Sequence, residues 1–323
     1  MVHEDVANCV NRSMQDWLHS SQMFGGKVIV FMGDFQQLLP VVRGGKGDNH
    51  TIMHTDWWPT VTVLHFTKSF RSDVADYCVM LKQVGTGAMP AVTVPLACVS
   101  NDLDVFCDRV MGDYTSTQRH VVCLTLEDAA AINARIIARL PGPTVVAASS
   151  DIPINCRDPD LYSDEFIHSL HFPGSPPALL ELKVGARYLI MRNLDQQRSL
   201  VNGTEVTLVS MRSSTITVRT KEQLVVLPRI NFIINPTESG LPFALHRRQF
   251  PIMPAFALTV HRVQGQSLKY LGLYFTGDVF CHGLLYTALS RVRSWSDVCV
   301  FFCGDGDCVI KNLVRRHIIA HLL

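Results

Sequence analysis

FALTVHRVQGQSL, residues 256–268, joins an apolar run to a cluster of hydrogen-bonding groups. The strand-like stretch from Phe256 to Val260 stops at His261 and Arg262. Gln264, Gly265, Gln266 and Ser267 follow, small or amide residues that pack poorly. In an open α/β sheet, ligands bind outside the carboxyl ends of strands, because the loops there lie over that edge. A buried strand that ends in donors around a glycine reads as a place where a ligand comes close to the backbone.

Other segments repeat the pattern. GGKVIVFMGDFQQLLPVV reads as a glycine turn, a buried strand over residues 27–32 and a polar loop opening at Gly33 and Asp34, with Gln36 and Gln37 behind. The unbroken apolar run, without alternation, predicts a parallel strand covered on both faces. VTVLHFTKSFRS, residues 61–72, reads as a second strand that runs out at Arg71, and residues 73–84 show helical spacing through Val74, Tyr77, Leu81 and Val84. HVVCLTLEDAAAINARIIARL predicts a strand and then a helix, with Thr125 and Asp128 at capping-box spacing and Ile132, Ile136 and Leu140 on the buried face. Residues 141–160 and 171–178 read as loops. FALTV, YLGLYFT, a helix over 284–294 carrying Arg291, strand DVCVFFC and a closing helix complete the chain. Two arginines and a glutamine gathered from separate strand ends suit a triphosphate, since arginine offers planar donors and glutamine can hold a water. Taken singly, each arginine also fits an ordinary ion pair.

Residues 182–253 depart from this alternation. Short alternating strands (VTLVS, STITVRT, QLVVLP) lie between turn signals such as Asn202-Gly203, predicting a small β-barrel. Lys and Arg outnumber Asp and Glu ten to four over residues 183–250, a local +6, while the whole chain carries only +1. The remainder is therefore −5. Uneven basic charge on a small barrel is what a nucleic-acid backbone favours, although a merely soluble surface fits the charge equally.

The totals set bounds. A chain of 323 residues is too long for one ordinary core and predicts two or more domains. With 47% hydrophobic and 18% charged residues it reads as globular rather than disordered. No apolar run approaches the ~20 residues of a membrane span, so the chain reads as soluble. MVHEDVANCVNRSMQDWL reads as an amphipathic helix with Val2, Val6, Val10, Met14 and Trp17 near one stripe, not as a targeting peptide. The ten cysteines include no C-x-x-C pair and suit a reducing compartment. Cys303, Cys308, His317 and His321 give C-x4-C-x8-H-x3-H, but the middle gap is shorter than that of a zinc finger, so a strand end and a last helix are expected there.

GDFQQLLPVV, SFRS, LELKVGARYLIMRNLD, VNGTEV, RRQFPIMPAFALTVHRVQGQSL and LYTALSRVRS occur in this order. Together they resemble the later motifs of the petite-integration-frequency (PIF) DNA helicases, especially the branch carried by Helitron transposons. The resemblance spans nearly the whole chain. It implies an α/β fold of RecA-like motor lobes, the first incomplete (1–68), the second in two parts (69–181 and 254–323), with an inserted Src-homology-3-like barrel (182–253). Gln37 resembles the third-motif sensor of the γ-phosphate; Arg71 and Arg291 resemble the arginines of the fourth and sixth motifs, which reach that phosphate as fingers. Gly33 and Asp34 belong to the same nucleotide-facing loop. Gln264, Gly265, Ser267 and His261 resemble the fifth motif, which grips single-stranded DNA, with Asn202 and Gly203 contributing from the barrel. The implied cofactors are ATP and Mg²⁺, and the implied partners single-stranded DNA and duplex junctions. The activity is ATP-dependent unwinding, 5′ to 3′ by analogy, in repair, recombination, telomere maintenance or transposition. The implied location is the nucleus.

The chain departs from that pattern in two places. It has no G-x-x-x-x-G-K-[ST] loop, since Gly26-Lys27 is followed by Val28 and Gly45-Lys46 by Gly47. The apolar strand ending in Asp-Glu, which supports Mg²⁺, is also absent, with Met1-Val2 standing where the family reads on from it. The expectation is a C-terminal fragment inactive by itself. The alternatives are a non-catalytic remnant that binds single-stranded DNA and an RNA-directed helicase.

Overall fold

A computed structural model describes residues 2–40, 50–66, 72–112, 114–156, 162–170, 172 and 174–320. The chain divides into two compact units, one of residues 1–100, 263–269 and 275–323, the other of residues 101–262 and 270–274.

In the second unit a parallel sheet forms where the apolar runs predicted it. Arg119–Cys123 lies between Ala257–Thr259 and Tyr270–Tyr274, parallel to both. Val121, Val122 and Cys123 are fully buried, as strands covered on both faces require. Helix Leu126–Arg139 begins where Thr125 Oγ1 accepts from the Asp128 N–H at 3.0 Å, and it buries Ile132, Ile136 and Ile137. Helix Leu103–Met111 closes the other side so tightly that a Cβ on Gly272 would meet Val110 at 2.6 Å.

The basic segment is β-rich as expected. Leu224–Pro228, Thr215–Arg219, Glu205–Met211, Arg187–Ile190 and Ile252–Pro254 pair antiparallel in that order, with a bulge between Leu208 and Ser210. Ile230–Ile234, Ala244–Gln249 and Ser150–Ile154 form a separate three-stranded sheet. The pairings among the described residues thus run as two sheets rather than one closed ring. Residues 141–160 are not all loop: Val145–Ala148 pairs with Leu179–Leu182, and Ser150–Ile154 adds to the three-stranded sheet. Gly, Pro and Ser signals concealed two strands whose order comes from distant partners. Inside this sheet Arg247 closes on Asp151, with Nη2 at 2.7 Å from Oδ2 and the pair shut off from solvent.

The first unit departs further from expectation. Helix Glu4–Trp17 forms, with the His3 ring accepting from the Asp5 N–H, but Val6, Val10 and Trp17 face solvent. Ala7 and Met14 face the core instead, packing with Phe24 and Trp57. Asn11 and Asn8 explain the rotation: their amide oxygens accept from Phe24 N (2.6 Å) and Trp57 Nε1 (2.9 Å). Residues 27–32 pair with no strand among the described residues. Ile29 and Phe31 turn toward Phe24 and Trp57, whereas Val28 is 93% exposed and Met32 86%. Residues 61–66 are likewise irregular, with Phe66 95% exposed. A strand is a pairing, and an apolar run without a ladder partner among the described residues keeps only its local shape. Helix Ala75–Thr86, parallel strands Val298–Phe301 and Val99–Ser100, and the short pair Ala91–Thr93 with Val309–Lys311 complete this unit. The helix expected over 284–294 is shorter, Leu284–Leu289, and the expected closing helix is Arg316–Ile319.

Candidate functional site

The loop after residue 32 is held by its own aspartate. Asp34 Oδ1 accepts from the Gln36 N–H at 3.0 Å, and Oδ2 accepts from Gln37 Nε2 at 3.0 Å. That local closure is the habit of Asp in turns. The Tyr286 hydroxyl donates to the same Oδ2 at 3.0 Å, so helix Leu284–Leu289 fixes the carboxylate from behind. Leu38 is buried, its N–H donating to Thr287 Oγ1 at 3.0 Å. His282, buried, accepts from the Arg315 N–H through Nδ1 (2.9 Å) and so donates through Nε2 to the Phe35 carbonyl at 2.7 Å. Gln37 is half-buried, and its Oε1 lies 3.4 Å from Gln264 Nε2, which brings together two of the glutamines singled out by sequence. Gly33 is exposed at the start of the loop, with open space where a Cβ would stand.

Arg291 is not on the helix. It lies just past its Ser290 cap, is 2% exposed, and donates Nε to Thr287 O (2.8 Å), Nη1 to Gln266 O (3.2 Å) and Nη2 to Ser290 Oγ (2.7 Å). Its backbone carbonyl accepts from the Leu268 N–H at 2.9 Å. The expected finger is thus an interior clamp in this conformation, tying residues 266–268 to 287–291. Arg71 lies outside the described residues.

Gly265 turns with φ +85°, and nothing stands within 4 Å of where its Cβ would be. The glycine is required by its left-handed backbone, not by a crowding neighbour. Ser267 is exposed. In the second unit His261 is exposed, although burial of its ring holds its pKa below the ordinary histidine value. Asn202 and Gly203 form the exposed turn joining Arg187–Ile190 to Glu205–Met211. Asn202 Oδ1 accepts from Arg262 Nη1 at 3.2 Å, which brings the Asn-Gly turn to the end of the 257–259 strand. Arg262, Tyr286, His282 and Gly283 were not singled out by sequence. Arg262 and Tyr286 lie inside segments that carry the resemblance, but only the tertiary structure reveals their partners.

Asp34, Gln37, Gln264 and Arg291 offer carboxylate, amide and guanidinium groups on one loop system. Among the described residues no group of three or more His, Cys, Asp or Glu side chains could hold a metal, and Cys303, Cys308 and His317 make no such group. His321 lies outside the described residues. With no glycine-lysine cradle in the sequence, these residues do not by themselves fit a Mg²⁺–triphosphate.

Residues 1–93 match the family model described as PIF1-like helicase, and residues 165–211 match that described as DNA helicase Pif1, 2B domain. The chain is 29% identical over 284 residues to ATP-dependent DNA helicase PIF1 of Rattus norvegicus, covering 84% of the chain and 40% of that protein. It is 27% identical over 307 residues to the Homo sapiens protein of the same name, covering 91% and 43%. The chain therefore spans about two-fifths of the length of these relatives. In fold it resembles the Pif1 helicase from Bacteroides in complex with ADP-AlF3 and ssDNA, with a TM-score of 0.70 at 19% identity over 100% of this chain and 72% of that one. It also resembles the Pif1 helicase from Candida albicans, with a TM-score of 0.65 at 22% identity over 100% and 74%.

Proposed function

We propose, from the premise that this chain belongs to the PIF1-like helicase family, that it serves an ATP-dependent DNA helicase as the part that senses nucleotide and grips single-stranded DNA. The observation that carries this reading is the chain of bonds from Tyr286 through Asp34 and Gln37 to Gln264. It joins the segments that resemble the third, fifth and sixth motifs. A glutamine whose amide is held by a carboxylate on one side and by a second glutamine on the other can pass a change at a terminal phosphate to the segment touching DNA. In this reading Gln37 senses the γ-phosphate of Mg²⁺-ATP, Arg71 and Arg291 are its two finger arginines, Arg291 reaching it only on leaving its clamp on Thr287 and Gln266, and Gly33 and Asp34 shape the loop. Gln264, Gly265 and Ser267 of the first unit, and His261, Asn202 and Gly203 of the second, each contact phosphodiester backbone in this reading. Gripping phosphate rather than base edges suits a motor that must move over any sequence.

The same reading divides the chain into a first-lobe segment (1–68), a second lobe (69–181 and 254–323) and an inserted barrel (182–253). It places the protein on single strands and duplex junctions in the nucleus, moving 5′ to 3′, in the branch shared with Helitron transposons. A second reading is a non-catalytic single-stranded-DNA binder that keeps the Asn202 turn, bonded to Arg262 at the end of the 257–259 strand.

Strand displacement on a tailed duplex separates the two. The gene product, isolated at the length its cell makes it, displaces a DNA strand only with ATP, and Gln37→Ala lowers that rate about a hundredfold while DNA binding persists. DNA binding without ATP-driven displacement decides for the non-catalytic reading. Faster displacement on an RNA duplex than on DNA decides for an RNA-directed enzyme.

A further inference from the structure

In the second unit, away from the residues discussed above, several chain connections meet. Ser149 separates the strands Val145–Ala148 and Ser150–Ile154. Ser213 and Ser214 turn the hairpin between Glu205–Met211 and Thr215–Arg219, and Arg229 joins Leu224–Pro228 to Ile230–Ile234. Arg248, on Ala244–Gln249, stands opposite Ser150 in register. Together they line a cavity of about 590 Å³.

Arg229 is fixed in place. Its guanidinium lies 4.5 Å over the buried Phe250 ring, and Nη1 donates to Ala148 O at 2.6 Å and Gln249 Oε1 at 3.1 Å. Arg248 is exposed. Neither has a carboxylate partner among the described residues, and Asp151, one residue along from Ser150, is closed bidentately on Arg247. Burial, and then the charge of Arg248, lower the pKa of Arg229, so the two cations repel. The Ser149 hydroxyl is buried without a hydrogen-bond partner. A hydroxyl without a hydrogen-bond partner and two guanidinium groups without a carboxylate among the described residues, lining one cavity, leave donor capacity that suits an anion.

We propose that this cavity is a phosphate-binding site that holds a phosphodiester of a bound DNA strand, with Arg229 and Arg248 as charged donors and Ser149, Ser213 and Ser214 as neutral ones. Backbone rather than base is the ligand, because the one aromatic ring at the site, Phe250, is 1% exposed beneath Arg229 and offers no face for stacking. The inference rests on the reading that the protein binds DNA.

Anisotropy titrations of labelled oligo-dT and of a mixed-sequence oligonucleotide, across a series of salt concentrations, test it. The double variant Arg229→Gln/Arg248→Gln weakens both oligonucleotides alike and lowers the slope of log K against log salt by about 0.7 to 1 for each phosphate that is no longer neutralised. Ser214→Asp, on an exposed turn where folding is undisturbed, produces the same loss. The charge-matched Arg12→Gln/Lys82→Gln, on helix positions outside the cavity, leaves the slope unchanged. Native binding with an unaltered slope in both pocket variants overturns the site and leaves the helicase reading standing. Failure of the native protein to bind either oligonucleotide overturns both. A phosphorus NMR titration with inorganic phosphate distinguishes the source: binding abolished by the double variant, with the DNA slope unchanged, assigns the pocket to a free anion and overturns the DNA assignment.

Discussion

Gly283 shows how closely the loop carrying Asp34 and Gln37 is packed. Its φ is +72°, and a Cβ built there would lie 2.4 Å from the Gln36 carbonyl oxygen and 2.7 Å from that of Gln37. Those atoms are backbone, so no rotamer change relieves the clash. Gly283→Ala therefore combines a left-handed penalty with displacement of the loop that carries Asp34 and Gln37. It destabilises the first unit by about 2 kcal/mol or more, read as a lower urea midpoint. An unchanged midpoint would show that the loop does not sit against this residue. The sequence could not single out Gly283, because the carbonyls it accommodates lie some 250 residues earlier. Gly265 was legible, yet its reason differs from the expected one: the turn needs its φ of +85°, and no neighbour excludes a side chain. Arg291 was expected as a finger, and its place as a clamp on Thr287 and Gln266 was not legible, since carbonyl acceptors carry no sequence signal.

Between elements, Asn133 is the side chain on which most depends. It is buried on helix Leu126–Arg139, and its Oδ1 accepts from the N–H groups of Phe256 (3.0 Å) and Ala257 (2.9 Å). Its Nδ2 donates to Ala257 O at 2.8 Å. The amide thus pins the head of the strand that leads to His261. Asn133→Leu keeps the volume but leaves three buried backbone groups unpaired, costing about 3 kcal/mol or more in a urea titration of the native chain. A loss below about 1 kcal/mol would mean water replaces the amide. The strand and helix around Asn133 were readable because an unbroken apolar run, a capping pair and helical spacing all point the same way. Residues 27–32 were misread because a continuous apolar run predicts burial on two faces, and here only Ile29 and Phe31 find a neighbour. The strands at 145–154 were missed because local turn signals cannot report pairing with residues 179–182 and 244–248.

Across the whole chain, charge and motif content pull in different directions, and that yields the most exposed prediction. The near-zero net charge conceals ten Lys and Arg against four Asp and Glu over residues 183–250, so any attraction to a polyanion is local. Nucleotide chemistry, by contrast, needs a phosphate cradle, and no G-x-x-x-x-G-K-[ST] occurs anywhere in the 323 residues. Phosphoryl transfer depends almost wholly on positioning and on electrostatic stabilisation of the terminal phosphate. A half-buried glutamine and an interior arginine cannot replace the backbone N–H groups and lysine of such a loop. The 323 residues expressed alone therefore bind oligo-dT but hydrolyse ATP at least about a thousandfold more slowly than a typical helicase, with or without DNA. A coupled phosphate-release assay checks this, with Arg291→Ala as the control for contaminating ATPases. DNA-stimulated turnover at helicase rates that disappears in Arg291→Ala would mean that these residues assemble a nucleotide pocket unlike the one their resemblance implies, and the division of labour argued from Asp34, Gln37 and Gln264 would have to be abandoned.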